Sequence, residues 1–283
     1  MTGRAMTRVR WWARCWKRKM ADPLPSQFAR DMARRRFLLG MAGGIGSLAL
    51  AGCGSRADAQ AAGDSNCRAS PWETDGPFPA DGRGGRDRRI NVLSSRDVVR
   101  RDIRPCFAGM EGEAEGVLLE LELQLVEARF DCSMPLAGHA IYLWQNDAAG
   151  DYSLYNRRDV NYLRGLQVSD SEGMVRFTSI LPGCYGGRSP HCHFEVFASE
   201  EAALSGEESL LTSQFAFPEE ACRAVYESDA RYGDSLANLE RWPIARDFVF
   251  RDGDAEVRAM QVLALSDNGA NGYFGTGRIA LSL

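Results

Sequence analysis

The chain has 283 residues, 45% of them apolar, with 34 basic and 38 acidic side chains for a net charge of −4, which supplies a folded core and excludes a low-complexity or disordered chain. The charge is uneven: eleven of the basic and two of the acidic residues lie in positions 1–36 and none in 37–53, so residues 54–283 hold 23 basic against 36 acidic side chains, net −13. Such an acidic body argues against nucleic acid as a partner.

In chain order, Arg34, Arg35, Arg36, Phe37 and Leu38 lead into an apolar, Gly-rich run from Phe37 to Gly52. The run is shorter than the ~20 residues that cross a bilayer, and the pattern reads as a twin-arginine export signal. It closes on Leu50, Ala51, Gly52 and Cys53, which resembles a lipobox whose cysteine is acylated after cleavage; the plain alternative is secretion with Cys53 unmodified. Residues 1–53 are therefore expected to be a signal, giving a periplasmic or cell-envelope location with a membrane tether through lipidated Cys53. Residues 54–70 are small and polar and suit a flexible linker. Beyond Cys15 and Cys53 the chain has Cys67, Cys106, Cys132, Cys184, Cys192 and Cys222, none in C-x-x-C spacing. In an exported protein six cysteines allow about fifteen disulfide connectivities, and we expect Cys67 to pair with Cys132, fastening the chain's entry to the body.

Residues 80–95, rich in Gly, Arg and Asp, read as a surface loop. VLLELELQLVEA (117–128) alternates Leu119, Leu121, Leu123 and Leu125 with Glu120, Glu122 and Gln124, the period of a strand with one buried face. HAIYLWQ (139–145) is apolar on both faces and should be a central strand. MVRFTSI (174–180) and HCHFEVF (191–197) follow turn signals, and late strands are expected at 247–250, 258–265 and 277–283. Only PEEACRAVYESDA (218–230) has helical character, with Pro218 suited to a first turn. Short strands, Gly and Pro turns and few short helices predict an all-β fold, an antiparallel β-sandwich over 71–283.

The chain has three histidines, and two of them stand two apart in SPHCHFEVF (189–197). A strand points alternate side chains to opposite faces, so His191 and His193 project together and Cys192 the other way, to pack as a small apolar residue. By itself that pair is an ordinary strand with two polar residues. Its company is GDYSLYN (150–156), YLRGLQVSDSEGMVRF (162–177) and PGCYGGRSPHCHF (182–194), with TDGPFP (74–79) before and TSQF (212–215) after. These motifs, which span most of the chain after the signal, resemble the intradiol ring-cleavage dioxygenases, the catechol and protocatechuate family, in its exported, single-chain branch.

The resemblance implies a ferric ion, Fe(III), held by Tyr152, Tyr185, His191 and His193, with Tyr152 the tyrosine that yields to substrate. Tyr155 is the rival for the first tyrosine position, and the G-x-Y-S context favours Tyr152. It further implies that Arg188 steadies negative charge on the ring and that Gln214 hydrogen-bonds the same region. The implied reaction inserts O2 into a catechol-type diol and opens the ring between the two hydroxyl carbons to a muconate-type dicarboxylic acid. The donor set is chemically coherent: a hard trivalent ion favours oxygen donors and ionises bound phenols, and two phenolates, a hydroxide and two neutral imidazoles cancel its charge in a dry site. The expected partners are a small aromatic diol and O2, and assembly into a homo-oligomer is compatible with the chain.

Some positions depart from the family pattern. Trp144, Gln145, Asn146 and Asp147 stand where many relatives have Trp-His before the acidic residue, and Phe78 replaces a tyrosine in the G-P-Y motif. His139 lies outside the motifs and reads as a strand-edge residue. The competing readings are a non-catalytic envelope lipoprotein that binds a metal or an aromatic ligand, and a zinc hydrolase built on His191 and His193, which lacks an Asp or Glu in the local motif.

Overall fold

In a computed structural model of the protein the described residues are 67–283. The expected signal over 1–53, Cys53 and most of the linker lie outside them. Its end does not: Cys67 is disulfide-bonded to Cys132, as expected, and Ser70 donates its N–H to the Ala280 carbonyl at 2.8 Å.

The Leu/Glu alternation produces the first long strand, β1 (Leu118–Glu127), whose Leu119, Leu121, Leu123 and Leu125 are buried. On the opposite face Glu122 receives Arg176 Nε at 2.7 Å from its register partner on β5 (Met174–Ile180). β1 also pairs with the short β2 (Met134–Pro135) and, in parallel, with β9 (Tyr273–Leu281), which β8 (Ala264–Asp267) flanks. The second sheet runs β4 (Arg164–Val168), β3 (Ala140–Trp144), β6 (His191–Phe197), β7 (Leu211–Ala216), every pair antiparallel. The two sheets face one another across one core, where the β1 leucines, Val175, Phe177 and Ile279 meet Ile141, Leu143, Cys192, Phe194, Val196 and Phe215. This is the expected β-sandwich, with one parallel pair.

The outer face of the second sheet is also covered. Tyr142, Trp144 and Phe197 pack there with Ala80, Val92, Leu93 and Val98 of the preceding segment and with Ala202 and Ala203 of α1 (Glu200–Ser205). That is why β3 is apolar on both faces, and it makes 80–95 more than a surface loop: Asp81 is buried and bonds Arg83. His139 sits just before β3 with its Nδ1 3.1 Å from the Ala137 carbonyl.

Strands β5 and β6 and helix α2 (Glu219–Ser228) follow the sequence pattern closely. The late region differs. Residues 247–250 form a turn rather than a strand, because Asp247 is drawn wholly inside the protein. Residues 258–265 split between α4 (Ala255–Met260) and β8, since Asp254 caps that helix by accepting from Val257 N at 2.9 Å. Helices α1 and α3 (Ser235–Arg241) are further additions; α1 has a serine cap, Ser199, and a left-handed Gly206 at its end.

The Cys67–Cys132 bond closes a separation of 65 residues, for which chain entropy gives about 4 kcal/mol of stabilisation. Cys132→Ser is expected to lower the urea midpoint by the corresponding amount, and a midpoint unchanged from the wild type would show that the bond does not constrain the unfolded chain.

Candidate metal centre

The pleat of β6 sorts its residues. Cys192, Phe194 and Val196 enter the inter-sheet core, while His191 and His193 point to the outer face, both buried. Trp144, opposite His193 on β3, stacks on that imidazole with ring centroids 4.9 Å apart and planes within 6°, which fixes its orientation. His191 is fixed differently. Its Nδ1 lies 2.6 Å from the Ser189 carbonyl, which can only accept, so Nδ1 carries the proton and Nε2 presents a lone pair.

Two loops bring the phenols to that lone pair. Tyr152 comes from the segment after β3, and Tyr185 from the Gly-rich turn before β6. Buried polar side chains stitch these loops together. Asn146 Nδ2 donates to the Gly183 carbonyl at 2.8 Å, and Gly183 N returns a bond to the Asp147 carbonyl at 3.0 Å. Asp147 Oδ1 accepts from Ala149 N and Asp151 N, and its Oδ2 accepts from Tyr162 Oη at 2.8 Å. A Cβ at Gly183 would stand 2.3 Å from the Ala148 carbonyl oxygen, so the close approach requires glycine. The polar run after Trp144, which in sequence looks only like a departure from the family, is the clamp between the tyrosine loops.

The four side chains converge. Tyr152 Oη and Tyr185 Oη are each 3.3 Å from His191 Nε2, and His193 Nε2 is 3.1 Å from it. Two donors about 2.0–2.1 Å from one ion, at angles between square and tetrahedral, stand roughly 2.9–3.4 Å apart. The observed spacings therefore fit a single shared cation, and two phenol oxygens with two imidazole nitrogens suit ferric iron. The electrostatics agree. Burial, and then the Arg188 charge, hold His191 well below the usual imidazole range, while burial and then His191 do the same for His193. Burial, then Tyr185, pushes Tyr152 well above the usual phenol range; burial likewise raises Tyr185. The imidazoles thus stay neutral and available, and the phenols ionise only if a strong cation compensates.

Tyr155 does not join them. Its Oη accepts from Ala80 N at 3.0 Å, and its ring lies against Phe78 and the Arg164 guanidinium. Phe78 packs against Tyr152 with ring centroids 4.7 Å apart and planes tilted by 30°, so the phenylalanine buttresses that tyrosine. Arg164 is fully buried beneath them and donates to Ser153 Oγ, Tyr142 Oη and the carbonyls of Phe78, Pro79 and Ser153. Arg188 Nη1 is 3.1 Å from His191 Nε2, and Arg188 Nη2 donates to Gln214 Oε1 at 2.7 Å. Gln214, the register partner of His193 on β7, donates in turn to the Thr74 carbonyl at 2.7 Å. Every residue expected at the site except Tyr155, its rival reading, is thus gathered in one place. Sequence reasoning missed Asp247, whose Oδ2 accepts from Arg188 Nε at 2.9 Å.

Residues 105–221 match the model of a family described as dioxygenase. No curated protein sequence matches the chain. Among solved structures, the intradiol ring-cleavage dioxygenase from Tetranychus urticae is 21% identical, with 76% of this chain and 95% of that one covered and a TM-score of 0.57. The dioxygenase domain of a dioxygenase carbohydrate-binding protein fusion from Streptomyces sp. SirexAA-E is also 21% identical, covering 76% of this chain and 99% of that one with a TM-score of 0.47. For catechol 1,2-dioxygenase from Pseudomonas arvilla C-1 the identity is 23%, the coverage 64% and 61%, and the TM-score 0.39. The two-sheet fold is that of the intradiol ring-cleavage dioxygenase structures, and the stretch that matches the dioxygenase family model, residues 105–221, holds Tyr152, Tyr185, His191 and His193.

Proposed function

We propose that the protein is a non-haem Fe(III) intradiol dioxygenase acting on a catechol-type diol, exported to the periplasm or cell envelope and anchored through Cys53. The observation that carries the enzymatic reading is the convergence of two phenol oxygens and His193 Nε2 on His191 Nε2 within 3.1–3.3 Å. The zinc-hydrolase alternative calls for an Asp or Glu beside His191 and His193, whereas the side chains gathered at His191 Nε2 are two phenols, a second imidazole and Arg188.

Ferric iron bound by Tyr152, Tyr185, His191 and His193 would make a coordinated catecholate reactive toward O2. The chain's own residues do the rest. The buried imidazoles and Tyr152 exclude water from one side, and Arg188 places a fixed positive charge beside the donor cluster, where it favours negative charge building on the ring. Gln214 holds that guanidinium at Nη2. A phenolate oxygen is a natural acceptor for a substrate hydroxyl proton. The family resemblance gives this yielding part to Tyr152; burial favours Tyr185. Tyr152 is 1% exposed and wedged against Phe78, whereas Tyr185 is half-buried and followed by Gly186 and Gly187.

The purified protein is expected to contain iron, to absorb visible light through its ferric phenolates and to consume O2 with at least one member of a catechol panel. A colourless, zinc-loaded protein inert to the panel would leave only the non-catalytic, ligand-binding lipoprotein. Removing the iron with a chelator should abolish both colour and O2 uptake, and iron but not zinc should restore them. Tyr185→Phe is expected to lose the colour and at least about 100-fold in turnover. Tyr155→Phe should keep both, losing only about 1 kcal/mol of stability with its Ala80 hydrogen bond. Full activity in Tyr185→Phe would overturn the ligand assignment.

A further inference from the structure

Arg188 can serve the reaction only if its guanidinium is held in one orientation, and the side chains that hold it come from distant parts of the chain. Its Nη2 is held by Gln214 Oε1 at 2.7 Å, and its Nε by Asp247 Oδ2 at 2.9 Å. With two edges of the planar fork fixed, Nη1 falls 3.1 Å from His191 Nε2, where the metal donors converge.

Asp247 is itself immobilised. It is 0% exposed; its Oδ2 also accepts from Ser189 N at 2.7 Å, and its Oδ1 accepts from Val249 N at 2.9 Å. One carboxylate oxygen therefore grips both the Arg188 side chain and the backbone of the next residue, in the turn that leads into His191. The flanking Phe248 and Phe250 lie 5.0 Å and 5.8 Å from the guanidinium carbon and screen it from water.

We propose that Asp247 is the positioning residue of the site, acting through Arg188 to aim Nη1 at the reacting region rather than touching metal or substrate. The mechanistic part of this assignment rests on the dioxygenase reading above; the pairing itself rests on geometry alone. Truncation to alanine would leave a buried arginine charge unpaired, so the informative change is Asp247→Asn, which keeps the shape but cannot accept from Arg188 Nε, Ser189 N and Val249 N at once.

In the iron-loaded full chain, Asp247→Asn should keep its iron, its visible phenolate band and the shift of that band when catechol binds without oxygen, while kcat for O2 uptake falls roughly 10- to 100-fold. In an Arg188→Gln background the same change should add nothing. Loss of the band, retention of full kcat, or a loss that adds to that of Arg188→Gln would each overturn the proposal. Should Asp247→Asn not fold, Asp247→Glu keeps the charge and displaces the carboxylate by one carbon, and the same slow turnover with an unchanged band is expected. If the wild type consumes no O2 with any catechol, the dioxygenase reading fails. The pairing is then still read from urea midpoints, where the double variant should fall no lower than the worse single one, and additive decreases would refute it.

Discussion

The site depends on the two-residue period of a single strand. β6 runs through the middle of the second sheet, hydrogen-bonded on both sides, so its register cannot slip without turning Cys192, Phe194 and Val196 out of the core. The same constraint that buries those three holds His191 and His193 on the opposite face. The inter-sheet core thus sets the direction of both imidazoles, and stacking on Trp144 with the Ser189 carbonyl contact sets their rotation.

Around that rigid pair the remaining donors are delivered by loops, which normally lack such precision. Here the loops are fastened by buried, hydrogen-bonded polar groups instead of by regular structure. Asn146 and Asp147 join the tyrosine loops to one another, and Arg164, satisfied entirely by uncharged acceptors, fastens the segment carrying Phe78 to the segment carrying Ser153. Such networks are stable only when nearly every member is paired, and this one nearly achieves it. The result is a cluster of neutral donors gathered at His191 Nε2.

Much of this could be read from the chain because it is local. The Leu119–Leu125 alternation, the H-x-H of β6, and the tyrosines in their Gly-rich motifs each carry their meaning within a few residues, and the structure gathers them as those patterns indicate. What escaped is long-range. Asp247 meets Arg188 from 59 positions away, and its segment has the short apolar look of a strand until its carboxylate is seen to turn inward. The strand expected at 258–265 begins inside a helix, because Asp254 caps 255–260 and only the residues from Ala264 onward join the sheet. The polar residues after Trp144 have no periodicity at all; their role exists only once Gly183 lies against them.

The parallel pairing of β1 with β9 bears on how the molecule is made. Of the nine described strands, β9 leaves the ribosome last, yet it lies in the interior of its sheet, between β1 and β8. Until it arrives, the leucine-rich β1 has an open edge, and pairing across so great a sequence separation is slow. Closure of this sheet therefore waits until the chain has been made from β1 through β9, and a factor that shields the nascent β1 edge would be most needed during that interval.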